Sequence, residues 1–177
     1  LTEASRTTFL DISRSTAEAL GSVGKPVGQT EVALSPDGRI KIRGPHVASE
    51  WLNAEGRHRL IDVEGWLTTN DLGRMEDGYL FYNGRADDLI NCGGIKVSPE
   101  LAEEGLRKRL ALTSGIAVAR IPDPNRGEGV LVAAEAGLVG EEELRSSAAD
   151  TLASFGLSAG SALRVQTVPM IPTTATG

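Results

Sequence analysis

The sequence predicts an α+β fold: a small β-rich subdomain, a distorted barrel or sheet, followed by a compact α+β lobe with a small sheet and flanking helices. Two observations carry this prediction. Residues 20–85 hold two hairpin turn signals with little helical periodicity between them. After residue 87 the pattern changes, and two well-capped helical stretches alternate with strand-like runs.

In chain order, residues 16–20 have room only for a short helix. Glu31 to Leu34 and Arg39 to Arg43 flank Ser35-Pro36-Asp37-Gly38, where Pro presets φ and Gly accepts positive φ. The same device recurs at Glu76-Asp77-Gly78, between Leu72-Gly73-Arg74-Met75 and the strand Tyr79-Leu80-Phe81-Tyr82. Beyond residue 87, Leu89-Ile90 and Ile95 to Val97 bracket a Gly93-Gly94 turn, and Ser98-Pro99-Glu100 reads as a helix start. There Ser is the N-cap, Pro occupies the first helical position and Glu sits in the positive first turn. Ala102, Leu106 and Leu110 recur every four residues as its buried stripe, and Arg107, Lys108 and Arg109 suit its negative end. Residues 116–121 and 130–136 are strand-like, separated by a Pro122-Asp123-Pro124-Asn125 loop. A second helix spans 141–155, with three acidic residues at its start, Leu144, Ala148, Leu152 and Phe155 on one face, and Gly156 as stop. Residues 164–168 close the set as a strand.

Composition bounds the function. The 177 residues are 40% hydrophobic, enough for one domain or two small ones with buried cores. The net charge of −6 is spread without a basic stripe, which argues against a nucleic-acid surface. Cys92 is the only cysteine, so no intrachain disulfide forms, and a reducing, cytoplasmic location is the simplest expectation. No apolar run approaches the roughly 20 residues that cross a bilayer. The chain opens on Leu1-Thr2-Glu3 without an initiator Met or basic leader and ends at Thr176-Gly177, which reads as a piece of a longer protein.

Several residues are candidates for chemistry. Thr2-Glu3 joins a hydroxyl to a carboxylate, a pair able to hold a divalent cation or position a nucleotide, although a solvated terminus is the simpler reading. Asp71, after Thr68-Thr69-Asn70 and at the end of a strand, suits bidentate acceptance from the two hydroxyls of a ribose; an Asx-turn explains it equally. Arg85 ends an apolar strand fourteen residues later. Its planar fork suits ribose oxygens or phosphate, and a salt bridge to Asp87 or Asp88 suits it as well. Asp87 and Asp88, as strand neighbours, would point to opposite faces and share no metal. Residues 93–96, Gly-Gly-Ile-Lys, offer bare backbone to a ligand or simply turn a hairpin. Cys92 reads as a small buried residue, and His46 and His58 as surface or loop residues. No Ser/His/Asp set, GxGxxG or Walker loop is present.

Taken in order, these segments resemble the AMP-forming adenylating enzymes: acyl-CoA synthetases, adenylation domains and luciferases. Leu1-Thr2-Glu3-Ala4 resembles the end of their Tyr-Gly-x-Thr-Glu motif, in which the Thr and Glu lie on the adenine-phosphate side of the nucleotide and the Glu helps hold Mg²⁺. Gly24-Lys25-Pro26-Val27-Gly28, residues 39–45 and Trp51-Leu52-Asn53 are similar to "GELxIxGxxVxxGYxN". Residues 66–73 are similar to "W-x-x-TGD-L-G", whose Asp binds the ribose hydroxyls. Residues 84–100 are similar to "GRxDDxIxxxGxKVxPxExE", whose Arg meets the same ribose and whose following Asp is a hinge. Residues 172–177 match the start of "PxTxxGK".

The resemblance implies nucleotide contacts at Thr2, Asp71 and Arg85, a metal contact at Glu3, a hinge at Asp87 and a thiol-channel face at Gly93, Gly94, Ile95 and Lys96. It divides the chain at the hinge, with residues 1–86 belonging to a large adenylate-forming domain and 87–177 forming a mobile small domain. No catalytic residue lies within the chain, because the family Lys would follow Gly177. Two departures stand out: Asn70 replaces the Gly of TGD, and Glu103-Glu104 follow Leu101-Ala102 where Ile-Glu is usual. The implied parent is an acyl-CoA synthetase using ATP, Mg²⁺, a carboxylic acid and CoA, with AMP as product. The alternatives are an enzyme loading a phosphopantetheinyl carrier protein and a non-catalytic lobe.

Overall fold

A computed structural model describes residues 2–158 and 160–172. Leu1 and residues 173–177, which complete the terminal motifs above, lie outside the described residues. The chain divides into two compact units, Leu1–Asp87 and Asp88–Gly177.

The first unit is β-rich. It begins with β1 (Thr8–Phe9), two short 3-10 turns at Ile12–Arg14 and Glu18–Gly21, and β2 (Lys25–Pro26), which pairs with β1. The second of these turns stands where a short helix was expected. β3 (Glu31–Leu34), β4 (Arg39–Arg43), β7 (Leu67–Glu76) and β8 (Tyr79–Arg85) form a four-stranded antiparallel sheet in the order β3-β4-β7-β8. Both predicted turns close its hairpins. Gly38 takes φ +84° and donates to Ser35 O, while Asp77 and Gly78 both adopt positive φ, the pairing of a tight hairpin turn that matches strand twist. Ala4, Ile40, Ile42, Leu67 and Leu80 form a small core.

Between β4 and β7 stands a hairpin the sequence did not announce, β5 (Glu50–Asn53) with β6 (Gly56–Arg59). The Asn53 side chain shapes its turn by accepting the N–H groups of Glu55 and Gly56, and Trp51 stacks on His58. A second correction concerns β7, which runs on past Asp71, the residue expected at the end of a strand. A bulge between Asp71 and Gly73 absorbs the irregularity.

The second unit holds the larger core. β9 (Ile90–Cys92) and β10 (Ile95–Val97) make the predicted hairpin, and α1 (Pro99–Arg109) follows with Ser98 capping the Leu101 N–H. β11 (Ile116–Asp123) and β12 (Gly127–Glu135) pair antiparallel. α2 (Glu141–Ser154) then carries the chain back so that β13 (Leu163–Val168) pairs with β12 in parallel, the arrangement that needs a crossover. Pro122 and Asp123 belong to β11 and not to a loop. Ala102 and Leu106 from α1 and Leu144, Ala148 and Leu152 from α2 are fully buried against Val118, Val130 and Val132 of the sheet. Each buried leucine contributes about 1.5–3 kcal/mol by leaving water. Cys92 lies in this core as a free thiol, as expected.

Among the described residues, no helix is long and apolar enough to cross a membrane.

Candidate functional site

The stretch of β7 that carries the bulge lines a cleft in the first unit. Thr69 donates its hydroxyl to Ile40 O at 3.0 Å and accepts the Asp71 N–H at 3.1 Å. The turn-forming side chain is therefore Thr69, and the carboxylate of Asp71 is left to face the cleft. Its cross-strand partner in the β7–β8 ladder is Arg85. The two side chains approach to 3.6 Å, with Asp71 the more sheltered of the pair.

Arg85 also grips Asp87. Its Nε and Nη2 donate to the two carboxylate oxygens at 3.1 and 2.9 Å, a forked contact that holds the Asp87 carboxyl below its ordinary pKa. Asp87 lies in a turn covering residues 86–88, so the expectation that Asp87 and Asp88 are strand neighbours on opposite faces is corrected. The salt-bridge reading of Arg85 holds for Asp87, and the same side chain also lines the cleft.

The cleft encloses about 570 Å³ and is lined by Thr2, Glu3, Thr68, Asp71, Tyr82 and Arg85, among others. Four of the sequence candidates thus come together in one place. Glu3 is tethered there because its carbonyl accepts the Ala48 N–H at 2.8 Å and Ala4 bridges to Val47. The carboxylates of Glu3 and Asp71 and the fork of Arg85 offer acceptors for sugar hydroxyls and a donor for an anion. Among the described residues, no group of three or more His, Cys, Asp or Glu side chains is arranged around a metal. A single carboxylate at Glu3 matches the way Mg²⁺ is usually held, by one or two carboxylates plus substrate phosphate.

Residues 93–96 belong to the second unit. Gly93 and Gly94 adopt φ of +61° and +93°, so the turn demands glycine for its own geometry. Gly93 donates to Arg126 O, Gly94 donates to the Asn91 side chain, and Lys96 pairs across the hairpin with Asn91.

Sequence reasoning missed three contributors. Tyr82 lines the cleft three residues before Arg85, and the only signal for it was an aromatic in an apolar strand. Arg39 donates to the Asn70 side chain at 2.6 Å, next to Asp71, and the departure of Asn70 from Gly was the available clue. The Asn70 carbonyl accepts the Ala86 N–H at 2.8 Å, tying the bulge to the turn before Asp87.

No protein-family model matches the chain. Curated relatives do. An oxalate–CoA ligase from Arabidopsis thaliana is 34% identical over 170 residues, covering 89% of this chain and 32% of the relative. A 2-succinylbenzoate–CoA ligase from Bacillus cereus is 31% identical over 146 residues, covering 77% of this chain and 30% of the relative. Among solved structures, o-succinylbenzoate CoA synthetase from Bacillus subtilis, in complex with its acyl-adenylate intermediate, matches 99% of this chain with a TM-score of 0.80 at 27% identity. The chain belongs to the AMP-forming adenylating superfamily. It spans about a third of the length of the curated relatives and 38% of the solved synthetase. The curated relatives named here are CoA ligases. The same Bacillus subtilis synthetase has also been solved with ATP and magnesium, where it matches with a TM-score of 0.77.

Proposed function

We propose that the chain is the ribose-holding wall, hinge and mobile small domain of an AMP-forming acyl-CoA synthetase. The observation that carries this reading is the Asp71–Arg85 pair facing a cleft shared with Thr2 and Glu3. Asp71 accepts hydrogen bonds from the ribose hydroxyls of ATP and Arg85 donates to the same sugar. Thr2 lies toward the phosphates, and Glu3 holds Mg²⁺ there. Magnesium, when bound, neutralises charge that develops between the α- and β-phosphates.

In the first half-reaction a substrate carboxylate oxygen attacks the α-phosphorus of ATP; a bond to it forms as the bond to pyrophosphate breaks, giving an acyl-adenylate. In the second, the CoA thiol loses its proton and its sulfur attacks the acyl carbon, releasing AMP and leaving a thioester. Residues 1–86 belong to the large domain, residues 87–177 form the small one, and Asp87 is the pivot between the two catalytic arrangements. The Gly93-Gly94-Ile95-Lys96 turn is the face used for the thiol step. The pairing of a lone buried cysteine with intracellular co-substrates favours a cytoplasmic enzyme.

The test is to incubate the full-length parent protein with ATP, Mg²⁺, CoA and a panel of carboxylic acids, analysing products by mass spectrometry. The reading requires AMP, pyrophosphate and an acyl-CoA. ADP as the nucleotide product, or AMP with a thioester only on a phosphopantetheinylated carrier protein, overturns the acyl-CoA synthetase assignment.

A further inference from the structure

The backbone is pinned on either side of residues 87 and 88, each time within its own unit. Before them, Ala86 donates its N–H to Asn70 O at 2.8 Å. After them, Arg120 donates to Leu89 O at 3.0 Å, and Asn91 donates its N–H to Glu128 Oε2 at 2.6 Å. Arg120 and Glu128 are themselves an ion pair at 3.3 Å.

An isolated surface ion pair is worth little, because both side chains lose freedom to form it. This pair differs in that each partner also bonds the main chain of the same short segment, residues 89–91. Arg120 stands on β11 and Glu128 on β12, two strands of the rigid sheet, opposite Val130 and Pro122 respectively. The ladder continues the anchorage, since Cys92 pairs with Gly127. Asn91 then relays the clamp to the neighbouring turn, its side-chain oxygen accepting the Gly94 N–H at 3.0 Å.

We infer that Glu128 and Arg120 are positioning residues that clamp residues 89–91 to the sheet, so that any hinge rotation ends before Leu89 and the Gly93-Gly94 turn keeps its orientation on the sheet. A hinge transmits a rotation only if the chain on both sides is held; a loose flank would absorb the motion as local fraying. The consequences for hinge rotation and for the thiol step rest on the proposed function, whereas the clamp itself does not.

The experiment uses the full-length parent protein and three variants: Glu128→Ala, Glu128→Gln, which keeps an acceptor oxygen without the charge, and Arg120→Met, which frees Leu89 O. Amide hydrogen exchange is read at Asn91 and Gly94. Thioester formation from pre-formed acyl-adenylate is timed separately from adenylation. Losing a charged acceptor should speed exchange at Asn91 about tenfold or more in Glu128→Ala, with Gly94 following and Glu128→Gln intermediate. Thioester formation should slow in all three variants while adenylation stays close to wild type. Unchanged exchange at Asn91 and Gly94 overturns the clamp. Equal loss of both half-reactions together with a lowered unfolding temperature reduces the pair to ordinary structural support, which also overturns it. A wild-type protein that forms no acyl-adenylate overturns the proposed function alone, because the exchange comparison needs no activity.

Discussion

Arg85 holds both carboxylate oxygens of Asp87, at 3.1 and 2.9 Å, while its third nitrogen reaches Asp71 across the β7–β8 ladder at 3.6 Å. One guanidinium therefore links the carboxylate proposed for ribose binding to the residue proposed as pivot. A fork can satisfy two acceptors at once because its donors are fixed in a plane, and lysine cannot reproduce that.

Replacing Asp71 with Asn in the full-length parent removes a charged acceptor facing the cleft. Hydrogen bonds to charged groups contribute about 1.5–3 kcal/mol, so KM for ATP should rise about tenfold or more while the unfolding temperature changes little. Arg85→Lys should raise it as well, since a point charge loses the fork. An unchanged KM for ATP in both variants would remove these residues from the nucleotide site.

The Asp87 carboxyl titrates below its ordinary value, chiefly through its hydrogen bonds from Arg85. A depressed folded-state pKa means that the pair's contribution is complete above the unfolded value of about 3.9 and is lost as pH falls through the lower folded value. The contact is therefore intact throughout the neutral range. Titration followed by NMR should find the Asp87 midpoint below that of a model peptide, and Arg85→Ala should return it upward. A midpoint that ignores Arg85 would mean the fork is not populated in solution.

Two glycines separate the cost of space from the cost of backbone conformation. Gly24 has φ +95°, and a Cβ there would overlap the Phe9 carbonyl; Gly28 has φ +60° with open space around it. Gly28→Ala should cost about 1 kcal/mol, the penalty of left-handed backbone alone. Gly24→Ala should cost well above that, enough to disrupt the β1–β2 pairing. Thermal unfolding distinguishes them, and equal shifts would contradict the close approach of residues 9 and 24.

Asn70→Gly returns the chain to the superfamily pattern and removes the Arg39 contact, which lies at the surface. The loss should be no more than about 1 kcal/mol, because the Asn70 carbonyl still receives the Ala86 N–H. Arg39→Ala should then have no additional effect in the Asn70→Gly background, the signature of a shared contact. Additive losses would mean that Arg39 acts through Asp37, which it also bonds at 3.0 Å.

The parts of this fold legible in the sequence were those with local chemistry. The Ser35–Gly38 and Asp77-Gly78 turns, the Ser98 cap with Pro99, and the Gly93-Gly94 turn each require particular residues at particular positions. The β5–β6 hairpin was not legible, because Gly56-Arg57-His58-Arg59 is charged and lacks apolar alternation. The bulge at Asp71 was hidden for another reason: it depends on Thr69 reaching Ile40 on a different strand, 29 residues away. The Glu128 clamp on Asn91 spans 37 residues and leaves no local signature at all. The candidate residues stand out through ordered motifs, whereas the contacts that hold them come from tertiary structure.

The most direct test of a pivot in an adenylating enzyme is Asp87→Pro in the full-length parent, with the two half-reactions timed separately. Proline fixes φ at one value, so it should trap the chain near one arrangement. The account predicts that one half-reaction falls much further than the other. Equal loss of adenylation and thioester formation would contradict it.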